Sequence, residues 1–534
     1  MDAALSTETT TLAQAFLDTA RRRGDAPAIL TADMAVTLTW SQYSQDASRV
    51  AGGLGAAGLR RGQTLGLLLS NRPEFHLADA AALLLGAIPF SMYNTSAPEQ
   101  FAHVIGDAGC RIVITEPALL ARLQAGLEQT ASGVDHVIVV GTPSWHDLLE
   151  HDPIEHPEPV DGDDVATLIY TSGTTGPPKG VELTHANILT MAREVTTLIE
   201  ACPEDRAISA LPMAHIAERA STHYIPMTVG SSVVCCPDYS TIMDLIPRVR
   251  PTVFFSPPRL WEKLRSAIAG AVDGGGTDPG ALRQMLGFDR LRTALTGAAP
   301  CPPAVIDFFT AIGVPLHQLY GMSETTGIVS IPTGHGGAAD AVGPPLPCTE
   351  IGFTDDGELL VRGPMVMAGY RNQPDATAET IDAQGWLHTG DIATLGQDGA
   401  LRIVDRKKEL IINAAGKNMS PSNIEARLKE SSPLIGQACV IGDGRPFNVA
   451  LIVADTAAAA ALPRGDDLSM HIADAVARAN GRLSRVEQIK RYDVLTDEWL
   501  PDSDELTPTM KLKRKPIAQK YANRITALYD GVTS

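Results

Sequence analysis

Residues 170–180, YTSGTTGPPKG, collect Thr171, Ser172, Gly173, Thr174, Thr175, Gly176 and Lys179 directly behind an apolar run. Glycines allow successive backbone N–H groups to turn inward as a nest for phosphate oxygens, and the lysine adds a point charge. The hydroxyls add donors, any of which can also face a metal-bound water. The Walker spacing GxxxxGK[ST] is not met, because Lys179 follows Pro178 and precedes Gly180. An ordinary P-loop nucleoside triphosphatase is therefore disfavoured. After the loop, Ile188, Met191, Val195 and Leu198 recur at helical spacing, which predicts a strand–loop–helix connection. Two basic clusters, DRKKE at 405–409 and KLKRK at 511–515, stand out from the acidic background, although a charge run by itself is usually a solvated face.

The elements that position these residues follow from the hydrophobic pattern. Short apolar runs such as TLGLLLS (64–70), RIVIT (111–115), HVIVV (136–140) and TVFFS (252–256) alternate with helical stretches such as APEQFAHVIGDAG. This alternation predicts α/β units with buried strands. Near residue 400 the register tightens: ALRIVDRKKELIINAAGKNMSPSNIEARLKE packs strands, turns and a helix into a short span. The expected organisation is α/β throughout, with a large multi-subdomain N-terminal domain (1–404) built on parallel-rich sheets. A hinge (405–408) and a small mobile α+β domain (409–534) follow it.

With 534 residues the chain is too long for one core. Its formal net charge of −19 repels polyanions and argues against nucleic-acid binding. The seven cysteines are odd in number and form no CxxC pair, so neither a disulfide framework nor a zinc site is indicated and a reducing cytoplasm is expected. The opening MDAALSTETTTLAQAFLDTARRRGD reads as an amphipathic helix rather than a signal peptide. No apolar run is long enough for a transmembrane segment; LADAAALLLGAIPF is short and carries Asp79.

Nine ordered motifs resemble the adenylate-forming superfamily of acyl-CoA synthetases, luciferases and peptide-synthetase adenylation domains. They are YTSGTTGPPKG, LPMAHIAER (211–219), VFFSPPRLWEKL (253–264), LTGAAP (295–300), YGMSETTG (320–327), GELLVRGPMVMAGY (357–370), GWLHTGD (385–391), DRKKELIINAAGKNMSPSNIE (405–425) and LTPTMKLKRKP (506–516). The second, third and last resemble the long-chain fatty acyl-CoA synthetase branch most. The resemblance implies a carboxylate attacking the α-phosphate of ATP to give acyl-AMP, followed by displacement of AMP by the thiol of coenzyme A.

It also implies roles. Residues 171–176 with Lys179 would hold the β- and γ-phosphates. Glu324 would bind Mg²⁺, with Thr171 as a second candidate near the metal. Tyr320 and the tight backbone of Gly297, Ala298 and Ala299 would border adenine, with Gly321, Met322, Ser323 and Thr325 alongside. Asp391 would accept from the ribose hydroxyls beside Arg406, and Lys408 would be the hinge residue. Lys511 would be the catalytic lysine, with Lys513 as its competitor, because Thr-Met precedes Lys511 where Ser-Gly is commoner. Gly416 and Lys417 would line the pantetheine tunnel, although Ala415 stands where a second glycine is frequent. His215 would help position the acid, Glu218 and Arg219 would form a structural pair, and Cys348 would be structural.

The substrate implied is a hydrophobic carboxylic acid, with a medium- or long-chain fatty acid preferred over a bulky ring-containing one. A carrier-protein thiol in place of CoA is the second reading, and a non-acyl phosphate-binding protein the third. A second copy of the chain, forming a homodimer, is left open as a partner.

Overall fold

The computed structural model describes residues 8–130, 133–171, 177–273, 278–332, 338–414, 417–463, 467–500, 503–507 and 511–530. The chain forms two compact units. The first comprises residues 1–298, 305–351 and 361–388, and the second 299–304, 352–360 and 389–534.

The first unit is built on three sheets. The largest has seven strands in the order Gly369–Tyr370, Lys179–Thr184, Val165–Thr171, Ile88–Ser91, Thr64–Leu68, Ile112–Thr115 and His136–Val139. From Val165–Thr171 to His136–Val139 every pairing is parallel. Strands such as Thr64–Leu68 and Ile112–Thr115 are buried at every position, as expected where helices cover both faces. Pro73–Leu84 is buried along nearly all its length, which explains why its sequence lacks an amphipathic period. A four-stranded sheet (Val36–Thr39, Pro27–Leu30, Ser232–Cys235, Arg206–Ser209) and a parallel three-stranded sheet (Val253–Ser256, Thr293–Thr296, Leu316–Gln318) complete the unit.

One sequence expectation is corrected here. The glycine-rich loop joins two antiparallel strands, Val165–Thr171 and Lys179–Thr184, with Thr171 opposite Lys179. The helix His185–Leu198 begins only afterwards, in a capping box where Thr184 Oγ1 accepts from Asn187 N at 3.1 Å and Asn187 Oδ1 accepts from Thr184 N at 2.9 Å. Val181 and Leu183 alternate with Glu182 as a strand should, but six residues are too few to stand out beside a helix of fourteen.

In the second unit, Ile435–Ile441 pairs antiparallel with Asn448–Ala454, which pairs parallel with Ile489–Leu495. Pro421–Ser431 and Leu468–Asn480 close a core containing Ile424, Leu428, Ile452 and Ile472. Among the described residues no helix is long and apolar enough to cross a membrane.

Candidate active site

Antiparallel pairing places Thr171 and Lys179 on facing strand ends at the mouth of the glycine-rich loop. Ser172, Gly173, Thr174, Thr175 and Gly176 lie outside the described residues. The Lys179 ammonium stands 4.7 Å from the centroid of the Tyr370 ring, a cation–π contact. Tyr370 O–H in turn donates to Glu324 Oε1 at 2.8 Å. The phosphate-loop lysine and the acid expected to face Mg²⁺ therefore share one aromatic neighbour. Tyr370 belongs to the two-residue strand Gly369–Tyr370, which pairs with Val181 and Glu182. It is the last residue of the motif GELLVRGPMVMAGY, but only the long-range pairing shows which residues it meets.

Glu324 is buried in the turn Ser323–Thr325. Met367 N donates to its backbone oxygen at 2.9 Å, and Thr326 Oγ1 donates to Met365 O at 2.7 Å. Met322 N donates to Thr325 Oγ1 at 3.1 Å, closing the turn locally. Gly321 is required here, since a Cβ would meet Gly327 O at 2.3 Å. Ahead of this turn, Leu319 N donates to Thr296 O at 2.9 Å, which sets the residue before Tyr320 against the end of strand Thr293–Thr296. Gly297 and Tyr320, both expected to border adenine, are thus drawn to one strand end, and a Cβ at Gly297 would meet Leu319 Cδ1 at 2.9 Å. Ala298 takes φ +64°, a left-handed conformation costly for a residue with a side chain; Ala299 follows it, half-buried.

His215 caps the short helix Ile216–Arg219, its Nδ1 accepting from Ala217 N at 3.2 Å. The expected Glu218–Arg219 pair does not form. Consecutive helical residues point in different directions, and each finds other partners. Glu218 Oε1 accepts from Ser209 Oγ at 2.8 Å, Thr222 Oγ1 at 2.9 Å, Ala210 N at 3.0 Å and Asn71 Nδ2 at 3.2 Å. Arg219, fully buried, is paired with Asp79. Cys348 packs half-buried against the core, in keeping with a structural role.

Burial pushes the Glu218 carboxyl from an ordinary 4.5 up to about 7, against the pull of its hydrogen-bond donors. A raised acid favours the neutral form in the fold, so this contribution is present in full below the ordinary value and is lost as pH rises through about 7. Glu218→Gln, which carries no charge, should therefore gain stability relative to the parent between pH 5 and 8, by about 3 kcal/mol. Urea unfolding of both proteins across that range checks it, and a pH-independent difference would contradict it.

In the second unit, Asp391 and Arg406 face each other across strands Leu387–Leu395 and Leu401–Arg406. Arg406 Nε lies 2.8 Å from Asp391 Oδ1, with the carboxylate buried and the guanidinium half-exposed. Lys408 is exposed just beyond. Lys417 is exposed in the turn closed by Asn413 N donating to Lys417 O at 3.1 Å, while Gly416 lies outside the described residues. Lys511 is exposed on a hairpin where Leu506 bridges Leu512. Lys513 is half-buried and its Nζ donates to Ser503 O at 2.8 Å. Arg514 anchors the tail on Glu425 at 2.6 Å and Glu409 at 3.2 Å.

The profile of the AMP-binding enzyme family matches residues 16–371, and that of the AMP-binding enzyme C-terminal domain matches residues 408–533. The chain belongs to the AMP-binding enzyme family. Among relatives of this AMP-binding enzyme, fadD11 of Mycobacterium tuberculosis, named as a fatty-acid–CoA ligase, is 43% identical over 69% of this chain and 74% of its own length. Long-chain-fatty-acid–CoA ligase FadD15 of the same organism is 34% identical over 92% of both chains. The crystal structure of the anthranilate CoA ligase AuaEII with anthranoyl-AMP superposes with a TM-score of 0.83 at 20% identity, covering 97% of this chain and 98% of that one; at that identity it speaks for the fold alone.

Proposed function

We propose that this AMP-binding enzyme is an ATP-dependent, AMP-forming acid–thiol ligase that converts a medium- or long-chain fatty acid to its CoA thioester. The observation that carries the reading is the alignment with a long-chain-fatty-acid–CoA ligase along 92% of both chains.

An oxygen of the acid attacks the α-phosphorus of ATP and the bond to the β-phosphate breaks, releasing pyrophosphate; the CoA sulfur then attacks the acyl carbon and AMP leaves. Like charges approach in the first step, so positioning and charge neutralisation dominate. Thr171, the loop 172–176 and Lys179 hold the departing phosphates. Tyr320 and Gly297–Ala299 border adenine, and Asp391, an acceptor-only group, takes the ribose hydroxyls beside Arg406. Lys511 reaches the carboxylate and α-phosphate, a role its exposed position suits and the tethered ammonium of Lys513 does not. Lys408 is the hinge between residues 1–404 and 409–534, Gly416 and Lys417 guide pantetheine, and His215 positions the acid.

Glu324 suits Mg²⁺: a buried carboxylate oriented by Tyr370 offers the hard oxygen that ion prefers. Among the described residues no group of three or more His, Cys, Asp or Glu could hold a metal. Bound there, Mg²⁺ would neutralise phosphate charge. The seven cysteines are all free thiols, which suits a cytoplasmic enzyme.

A panel of acids assayed for pyrophosphate release, with and without CoA, tests the reading. Fatty acids should give AMP, pyrophosphate and acyl-CoA. Accumulation of acyl-AMP with CoA unused would assign a carrier-protein acceptor, and release of ADP and phosphate would remove adenylation altogether.

A further inference from the structure

We infer that Glu358 and Lys407 are positioning residues for nucleotide binding, which hold in register the two paired strands at the point where Asp391 faces Arg406. The inference rests on reading Asp391 as the ribose acceptor.

Glu358 uses its two oxygens on two different segments. Oε1 accepts from Gly390 N at 3.0 Å, and Oε2 lies 3.0 Å from Lys407 Nζ. Gly390 is the residue before Asp391 and Lys407 the residue after Arg406, so one carboxylate grips the flank of each member of the Asp391–Arg406 pair. Lys407 N donates to Gly390 O at 2.8 Å and closes the ring of contacts. Gly390 takes φ +70°, so the chain turns sharply just where Asp391 must be aimed.

The Glu358 side chain is 9% exposed and Lys407 42%. Losing the ammonium would remove a counter-charge held 3.0 Å from a nearly buried carboxylate, which matters more than loss of a surface pair. Asp356 also meets Lys407 at 2.6 Å, but it is 55% exposed and adds little. Asp391 must face two neighbouring hydroxyls at once, and a site of that kind tolerates errors of only about 0.5 Å. Arg406, half in solvent, cannot fix that geometry alone. Lys407, the first lysine of the basic cluster DRKKE, thus has a use beyond a wet surface.

The test uses the full-length protein, with AMP affinity by calorimetry and the ATP dependence of pyrophosphate release. Lys407→Met should weaken AMP binding about fivefold to tenfold and raise the KM for ATP by a similar factor, with a smaller change in kcat. Lys407→Arg should restore most of both. Glu358→Gln keeps an acceptor for Gly390 but not the charge for Lys407, so it should match Lys407→Met, and the double variant should be no worse than either. Lys407→Met takes a counter-charge from a nearly buried carboxylate, so its unfolding temperature should fall modestly and Lys407→Arg should restore it; AMP affinity is therefore read well below the unfolding range of every variant. Unchanged AMP affinity in Lys407→Met, or a fall in kcat with KM for ATP unmoved, would overturn the inference. Asp391→Ala separates the two levels. If it binds AMP like the parent, the ribose reading falls and this inference with it; if it weakens AMP while Lys407→Met does not, only the inference falls.

Discussion

Lys511→Ala is expected to cut acyl-AMP formation about 100- to 1,000-fold, the usual loss when one preorganised donor to a developing charge is removed. In the first half-reaction a carboxylate closes on a phosphate, and the ammonium is the group proposed to span both. Stability should barely move, because an exposed side chain contributes little to the fold. The second half-reaction, started from synthetic acyl-AMP and CoA, should proceed close to the parent rate, since no phosphate charge then builds against an incoming carboxylate. Lys513→Ala should do the reverse: its lost bond to the Ser503 carbonyl costs about 1 kcal/mol of stability with little effect on adenylation. Pyrophosphate release by the two variants decides between them. A larger loss in Lys513→Ala would mean that the tail has been read two residues out of register.

The largest stability loss is expected from Asp79→Ala. Asp79 and Arg219 are both fully buried and paired, with His223 Nε2 at 2.9 Å from the other carboxylate oxygen and His76 Nδ1 at 2.9 Å from His223 Nδ1. Burial pushes the Asp79 carboxyl upward, but Arg219 and His223 outweigh it and hold it below the usual carboxylate value. Removing the carboxylate strands a guanidinium without solvent, at about 3–5 kcal/mol, a large part of the 5–15 kcal/mol typical of a folded protein. Because Arg219 ends the short helix Ile216–Arg219 that His215 caps, the damage should reach the segment that carries His215. Urea unfolding checks it, and Asp79→Leu combined with Arg219→Met should recover most of the loss, since an apolar pair leaves no charge unmatched. A single-variant loss under about 1 kcal/mol would show that water or another group compensates the arginine.

Several site residues were legible because their chemistry is local. The glycine, threonine and lysine content of 171–180 suggests a phosphate nest without knowledge of its neighbours, and Asp391 and Arg406, which the family resemblance sets side by side, meet at 2.8 Å. Strand positions were equally legible, since burial on both faces leaves continuous apolar runs such as TLGLL. What failed was anything needing a direction or a distant partner. Glu218 and Arg219 are adjacent in sequence, yet helix geometry sends one to Ser209 and Thr222 and the other to Asp79.

By itself the sequence determined the family, through ordered motifs, and the alternation of strands and helices, because motif composition and apolar periods are properties of short segments. The tertiary structure alone decided that Tyr370 links Lys179 to Glu324, that Glu358 grips both Gly390 and Lys407, and that the phosphate loop closes a hairpin rather than opening a helix. The Tyr370 and Glu358 contacts join residues tens to nearly two hundred positions apart, and no local propensity encodes which distant side chain a folded sheet will bring into contact.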